Sequence, residues 1–156
     1  MEIRFLAIPT AVANALWQDG SDAYGNRPER VISTSSGNPC RHCLKFIPAG
    51  AEMLVLAHSP FDTKQPYAET GPIFLCANPC KRFDPDNGVP EIFDGQAILI
   101  RAYDESERII YGTGAITRAE HLIEKCARRL ARDDVSFVHI RSSTNNCFQA
   151  RVERVE

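Results

Sequence analysis

A chain of 156 residues can bury a core of its own, so a single domain spanning 1-156 is the simplest arrangement and a metal is not required merely to fold it. Eighteen lysines and arginines oppose twenty aspartates and glutamates, a net charge of -2 spread similarly over both halves, which disfavours a nucleic-acid partner or a membrane surface held mainly by charge. No stretch approaches the length of a membrane span, and Pro9 interrupts the apolar N-terminal run before it resembles a secretory signal, so a cytoplasmic protein with reduced cysteines is expected.

Ile3 to Ile8 reads as a short strand, after which Thr10 can cap a helix to about Gln18, with Val12, Ala13, Leu16 and Trp17 on its buried side. Arg30 to Thr34 is expected as a strand, and Ser35 to Pro39 as the turn that delivers the chain to Cys40. Ile47-Pro48-Ala49-Gly50 is a second turn, and Met53 to Ala57, apolar throughout, suits a central strand. The long loop from Ser59 to Pro72, punctuated by Pro60, Pro66 and Gly71, is of a length that often carries function, and it holds Tyr67, Glu69 and Thr70. Ile73 to Leu75 is a short strand that ends at Cys76. The polar linker Asp84 to Pro90 is the one place for a soft subdivision of the domain.

Beyond the linker the pattern becomes regular. Ala97 to Tyr103 and Ile109 to Ala115 are expected as a hairpin over Asp104 to Glu107. Thr117 with Glu120 has the spacing of a capping box for a helix from Arg118 to about Arg132, buried along Ala119, Leu122, Ile123, Cys126, Ala127, Leu130 and Ala131. Cys126 is then a core thiol, and the basic residues of the opposite face form a solvated surface. Val135 to Arg141 and Cys147 to Val155 make a second hairpin. Together these elements predict an α+β fold: a mixed, largely antiparallel sheet with covering helices and a zinc-knuckle-like loop insertion.

Four of the six cysteines form two close pairs, Cys40-Arg41-His42-Cys43 and Cys76-Ala77-Asn78-Pro79-Cys80. Two turn-borne pairs can each wrap one edge of an ion, and four sulfurs close the tetrahedral shell of Zn2+, so a structural zinc knuckle is the first expectation. A thiol redox centre would want the C-x2-C to open a helix, and Pro48 with Gly50 argues against one. Four reduced thiols buried as small hydrophobes are the nearer rival to zinc, and the redox centre ranks third. The run from Cys40 to Gly50 also resembles the knuckle and hairpin that open treble-clef zinc fingers, with Cys76 placed after a later strand as the second ligand pair requires. His42 is expected to be exposed on the knuckle, and His58 to be a hydrogen-bonded structural histidine.

A second constellation comes from the C-terminal strands. Arg101 interrupts Ala97-Ile98-Leu99-Ile100, and a charge in so apolar a strand must reach a rim, a carboxylate or a ligand. His139, Arg141 and Cys147 lie on the next hairpin, whose loop length decides whether Arg141 stands opposite Cys147 or Phe148. If they share a face, Cys147 gains the electropositive setting that a nucleophilic thiol needs, although a structural strand cysteine is the commoner case.

Pro39-Cys40-Arg41-His42-Cys43-Leu44, the run Pro66 to Phe74, Arg101-Ala102-Tyr103, Val138 to Arg141 and Asn146-Cys147-Phe148 together resemble an uncharacterised bacterial family, domain of unknown function 1203. The resemblance implies no activity. It does imply that His can stand in place of Cys76 and that the second cysteine of the first pair can be lacking, so that a metal decorates the fold without being essential to it. It also points to Tyr67, Arg101, His139, Arg141 and Cys147 as a candidate site. The expectation is a binding or accessory protein with a structural zinc on Cys40, Cys43, Cys76 and Cys80. Its main alternative is an enzyme acting on an anionic small molecule through Cys147, His139 and the nearby arginines, and a thiol redox protein is a further one.

Overall fold

The computed structural model describes residues 1–156. The first strand, β1 (Ile3–Leu6), leads into helix α1 (Thr10–Trp17), and then come β2 (Glu29–Ile32), β3 (Asn38–Pro39), β4 (Phe46–Ile47), β5 (Glu52–His58) and β6 (Gly71–Cys76). After two single turns of 3-10 helix the C-terminal half supplies β7 (Ala97–Tyr103), β8 (Ala115–Arg118), α2 (Leu122–Leu130), β9 (Phe137–Ser142) and β10 (Phe148–Arg154). A five-stranded sheet runs in the order β1-β10-β9-β7-β8, a three-stranded sheet in the order β2-β5-β6, and β3 and β4 form a small ribbon. Every paired strand is antiparallel, and the single parallel contact is a bridge from Cys40 to Phe74. The architecture is α+β, as expected, with the cysteine knuckle inserted between β3 and β4.

The two faces of the five-stranded sheet differ sharply. Ile98, Ile100, Ala102, Val138, Ile140, Ala150 and Val152 point to one side, where Leu122, Cys126 and Leu130 of α2 close a core that also takes in Phe5. Those three helical residues recur every fourth position, the spacing of one helix face. The opposite face carries Arg101, Tyr103, Phe137, His139 and Arg141, in register across β7 and β9. Over it lie the loop of residues 59–70 and the second core, which joins α1, the three-stranded sheet, the knuckle cysteines and Phe148.

Several sequence expectations need correction. Thr10 is the first helical residue instead of the cap, and Pro9 occupies the cap position without a side-chain bond. Thr117 does not cap α2: it is paired with Ile98 inside β8, so the capping box is lost to the sheet, and α2 begins only at Leu122 after a 3-10 turn. Ile123 lies off the buried face, 54% exposed. The partner strand of β7 is Ala115–Arg118 and not Ile109–Ala115, because the chain turns through Gly112 in the left-handed region and Thr113 Oγ1 accepts from the Ala102 backbone N–H in place of a strand neighbour. The polar linker near residues 84–90 ends in Ile92 and Phe93, which bury themselves in the core beneath α2.

Candidate functional site

The knuckle is built by its backbone. The Cys40 N–H donates to the Lys45 oxygen and the Leu44 N–H to the Cys40 oxygen, and Leu44 takes a left-handed φ of 52°, so Cys40 and Cys43 turn to the same side. Strand β4, and no helix, follows Cys43, so no helix N-terminus is available to activate a C-x2-C thiol. Cys76 ends β6, and the next turn returns Cys80. The four sulfur atoms lie within 4.8 Å of one another. Cys40 Sγ is 3.8 Å from Cys80 Sγ, and Cys43 Sγ is 3.9 Å from Cys76 Sγ. A tetrahedron with metal–sulfur bonds of about 2.3 Å has edges of about 3.8 Å, so the spacing fits one ion and is far longer than a disulfide. The group can hold a metal.

The surroundings are those of a thiolate site. The Cys76 N–H donates to Cys40 Sγ at 3.4 Å. His42 is nearly fully buried, contrary to expectation, with Nδ1 3.3 Å from Cys80 Sγ and Nε2 2.9 Å from Thr10 Oγ1. Trp17 packs edge-on against its ring and donates from Nε1 to the Cys76 oxygen, so α1 is the lid that buries this histidine. Donation from the other three thiols, Cys43 first, lowers the pKa of Cys40, that of Cys43 also falls, and those of Cys76 and Cys80 rise, chiefly through Cys40. Without a cation the four cannot all ionise, which is the condition a divalent metal relieves.

The second constellation is divided between two places. Arg101 and Arg141 converge on Glu69 of the 59–70 loop: Arg101 reaches Oε1 at 2.8 Å and Arg141 reaches Oε2 at 3.0 Å. The Arg141 side chain is 4% exposed and that of Glu69 39%. Arg101 also donates from Nε to the Tyr103 hydroxyl. His139 is enclosed by Phe61, Tyr103, Phe137 and Phe148, with ring centroids 4.6 to 5.1 Å away. Its Nδ1 is 3.3 Å from an Arg141 nitrogen and its Nε2 has no partner. Burial first, then Arg141 and its neighbouring arginines, holds its pKa well below the ordinary range, so the ring is neutral.

Arg141 stands opposite Phe148, and a bulge after Phe148 sets Arg151 opposite His139. Cys147 pairs with Ser142, whose backbone N–H donates to its oxygen. Cys147 therefore lines, with Arg141 and His58, a cavity of about 250 Å3 whose wall also includes Glu69, Asn146 and Phe148, while its thiol donates to the Asn145 oxygen at 3.7 Å. His139 does not line this cavity, whereas His58, read from sequence as structural, does. Its ring packs on Phe148, and burial, aided by Arg41, pushes its pKa down to about 4. Tyr67 turns away to the Tyr111 hydroxyl, 3.1 Å from its own, beneath the Arg108 guanidinium. The signal for His58 was its position where an apolar strand enters the long loop; the pairing of two strand arginines with Glu69 had no local signal.

No helix is long and apolar enough to cross a membrane. Comparison with curated proteins finds no match, and comparison with solved structures finds none either. Residues 37–154, which include both cysteine pairs, Glu69, Arg101, His139, Arg141 and Cys147, match the family described as protein of unknown function (DUF1203), and the chain belongs to that family.

Proposed function

We propose that the chain is a cytoplasmic binding or accessory protein in which Cys40, Cys43, Cys76 and Cys80 hold one structural Zn2+. The observation that carries this reading is the mutual spacing of the four sulfurs, all within 4.8 Å of one another, with Cys40–Cys80 at 3.8 Å and Cys43–Cys76 at 3.9 Å. The four side chains would hold Zn2+ as thiolates, and the ion would supply a structural crosslink and no chemistry on a substrate. The chain's own residues supply the rest: the Cys76 N–H and His42 face the sulfurs, and the buried Arg41 guanidinium lies close enough to Cys40 to feel its charge. Elemental analysis of untagged protein purified without chelator should find about one equivalent of zinc per chain. Less than about a tenth of an equivalent, with all four thiols freely titratable, would overturn the reading.

A second reading is an enzyme acting on an anionic small molecule, and the cavity where Cys147, Arg141 and His58 meet favours it. In this reading Cys147 is the nucleophile, Arg101 and Arg141 hold the anion, and His139 orients Arg141. His58 takes the place beside the thiol that sequence had assigned to His139. Loss of rapid, selective alkylation in Cys147→Ser is its test.

A further inference from the structure

Glu69 and Arg141 line the cavity beneath the 59–70 loop, and Arg101, outside that lining, brings a second positive charge to the same carboxylate. Arg101 and Arg141 share the single carboxylate of Glu69. The other acids nearby are committed elsewhere: Glu153 to Arg151 at 2.6 Å and to Arg4, and Glu107 to the backbone N–H groups of Asp62 and Thr63. Behind the cavity the buried Arg41 bonds only to the carbonyls of Phe148 and Pro39. Neutral histidines add nothing to offset. The balance at the two converging guanidinium groups is one positive charge left over.

Glu69 bridges the arginines with one oxygen on each, which shows that their spacing suits a single oxyanion. The two arginines are fixed in strands and largely buried, whereas Glu69 comes from a loop and keeps 39% of its side chain in contact with solvent. A carboxylate so placed can swing into water when another anion takes its place, whereas the arginines cannot follow it and would otherwise be left unpaired. Arg141 also retains an Nε with no partner. The adjoining 250 Å3 is many times the roughly 10 to 15 Å3 that one water requires, and Phe148 offers it an apolar wall.

We propose that this cavity binds a small organic anion whose carboxylate or phosphate oxygens bridge Arg101 and Arg141 in the place of the Glu69 carboxylate, with its body against Phe148 and beside Cys147 and His58. Glu69 is then an internal competitor that keeps the arginines paired until the anion arrives. The inference rests on the second reading's choice of site, yet it needs no reaction to occur there.

The test is a titration of the 15N-labelled full chain with sodium acetate and, separately, with inorganic phosphate, at constant pH and ionic strength. Saturable shifts are expected at the amides of Thr70, Asn145, Asn146 and Cys147, with a dissociation constant of about 1 to 10 mM for so small a probe. Glu69→Gln removes the competing charge and should tighten binding about tenfold. Arg141→Gln should abolish it, and because loss of that buried cation can unfold the chain, the Glu69 variant decides the matter. Tighter binding of acetate assigns a carboxylate ligand, and tighter binding of phosphate a phosphate ester. Shifts that fail to saturate, shifts confined to other surfaces, or an affinity unchanged in Glu69→Gln would each overturn the proposal. Anion binding beside an inert Cys147 would sustain it while removing the enzyme; a reactive Cys147 without anion binding would do the reverse.

Discussion

The Arg41 guanidinium donates from Nε to the backbone oxygen of Phe148 at 2.8 Å, joining the cysteine knuckle to the C-terminal hairpin across 107 residues of chain. Its Nη1 donates to the Pro39 oxygen at 2.7 Å and its guanidinium lies over the Phe74 ring, so one side chain ties β3, β6 and β10 together. Burial lowers its pKa to about 10, which still leaves it cationic at neutral pH. Charge-assisted hydrogen bonds of this kind contribute about 1.5 to 3 kcal/mol each, so Arg41→Gln should lower unfolding stability in urea by about 3 kcal/mol. Arg41→Lys should recover little, because an ammonium lacks the planar fork that reaches both carbonyls at once. A loss below about 0.5 kcal/mol would mean the link is incidental.

The line from Thr10 through His42 to Cys80 makes a separate prediction about metal retention. Partners that orient a metal's ligands typically matter by about 10 to 100-fold in affinity, so His42→Ala should speed zinc loss to a chelator by about that factor. Cys80, half-buried, should become the first of the four thiols to be alkylated. Zinc release at the wild-type rate would reduce His42 to packing under Trp17.

The cysteine site was legible because its signal is local: two short spacings place four sulfurs whatever the rest of the chain does. The burial of His42 was not, since it depends on α1 docking Thr10 and Trp17 over the knuckle from more than twenty residues away. Thr117 shows the opposite failure, a sound local motif overruled when the sheet claimed its backbone through pairing with Ile98. The α2 core face at Leu122, Cys126 and Leu130 survived because periodicity reports the helix face even when its start is misplaced. Arg101 advertised that it needed a partner, but the acid that answers it lies 32 residues earlier in a loop without regular structure.

Acid should weaken the fold in a defined window. The His58 pKa is about 4 in the folded chain, against about 6.5 when unfolded, and that of His139 is lowered as well. As pH falls from about 6.5 towards 4 the unfolded chain takes up protons that the folded chain refuses, so stability falls with pH there. The His58 share is about 3 kcal/mol over the whole window, from burial first and then Arg41, in a cavity whose other charged wall residues are Arg141 and Glu69. Urea midpoints between pH 7 and 4.5 should therefore drop more steeply for wild type than for His58→Gln. Parallel curves would show that this imidazole finds a way to charge inside the fold.

Cys147 offers a direct check on the enzyme reading. Cys147 shares the cavity wall with Arg141 and His58, while Cys126 lies on the buried face of α2 with a pKa pushed up to about 12 by desolvation. With the four knuckle thiols protected by zinc, iodoacetamide near neutral pH should label one cysteine rapidly, and Cys147→Ser should abolish that labelling. Each event forms an S–CH2 bond as iodide departs and the thiol proton passes to solvent. Equal labelling of the variant would place the reactive sulfur elsewhere and remove the nucleophile from this cavity.

Glu107 governs the loop that supplies Glu69. Its carboxylate accepts from the backbone N–H groups of Asp62 and Thr63 and from the Thr63 hydroxyl, and its own carbonyl accepts from Gln65. Burial alone would raise its pKa, but these donors lower it overall, so the anchor holds above the ordinary carboxylate range and weakens as acid protonates it. Glu107→Gln replaces an acceptor of three bonds with a neutral amide. The 59–70 backbone should then exchange its amide hydrogens about tenfold faster or more, while β9 and β10 stay protected. Because Glu69 rides on this loop, the same variant should loosen the carboxylate from Arg101 and Arg141 and admit acetate more readily than wild type. Faster exchange without tighter acetate binding would separate the loop's mobility from the arginine pair and count against Glu69 as the competitor.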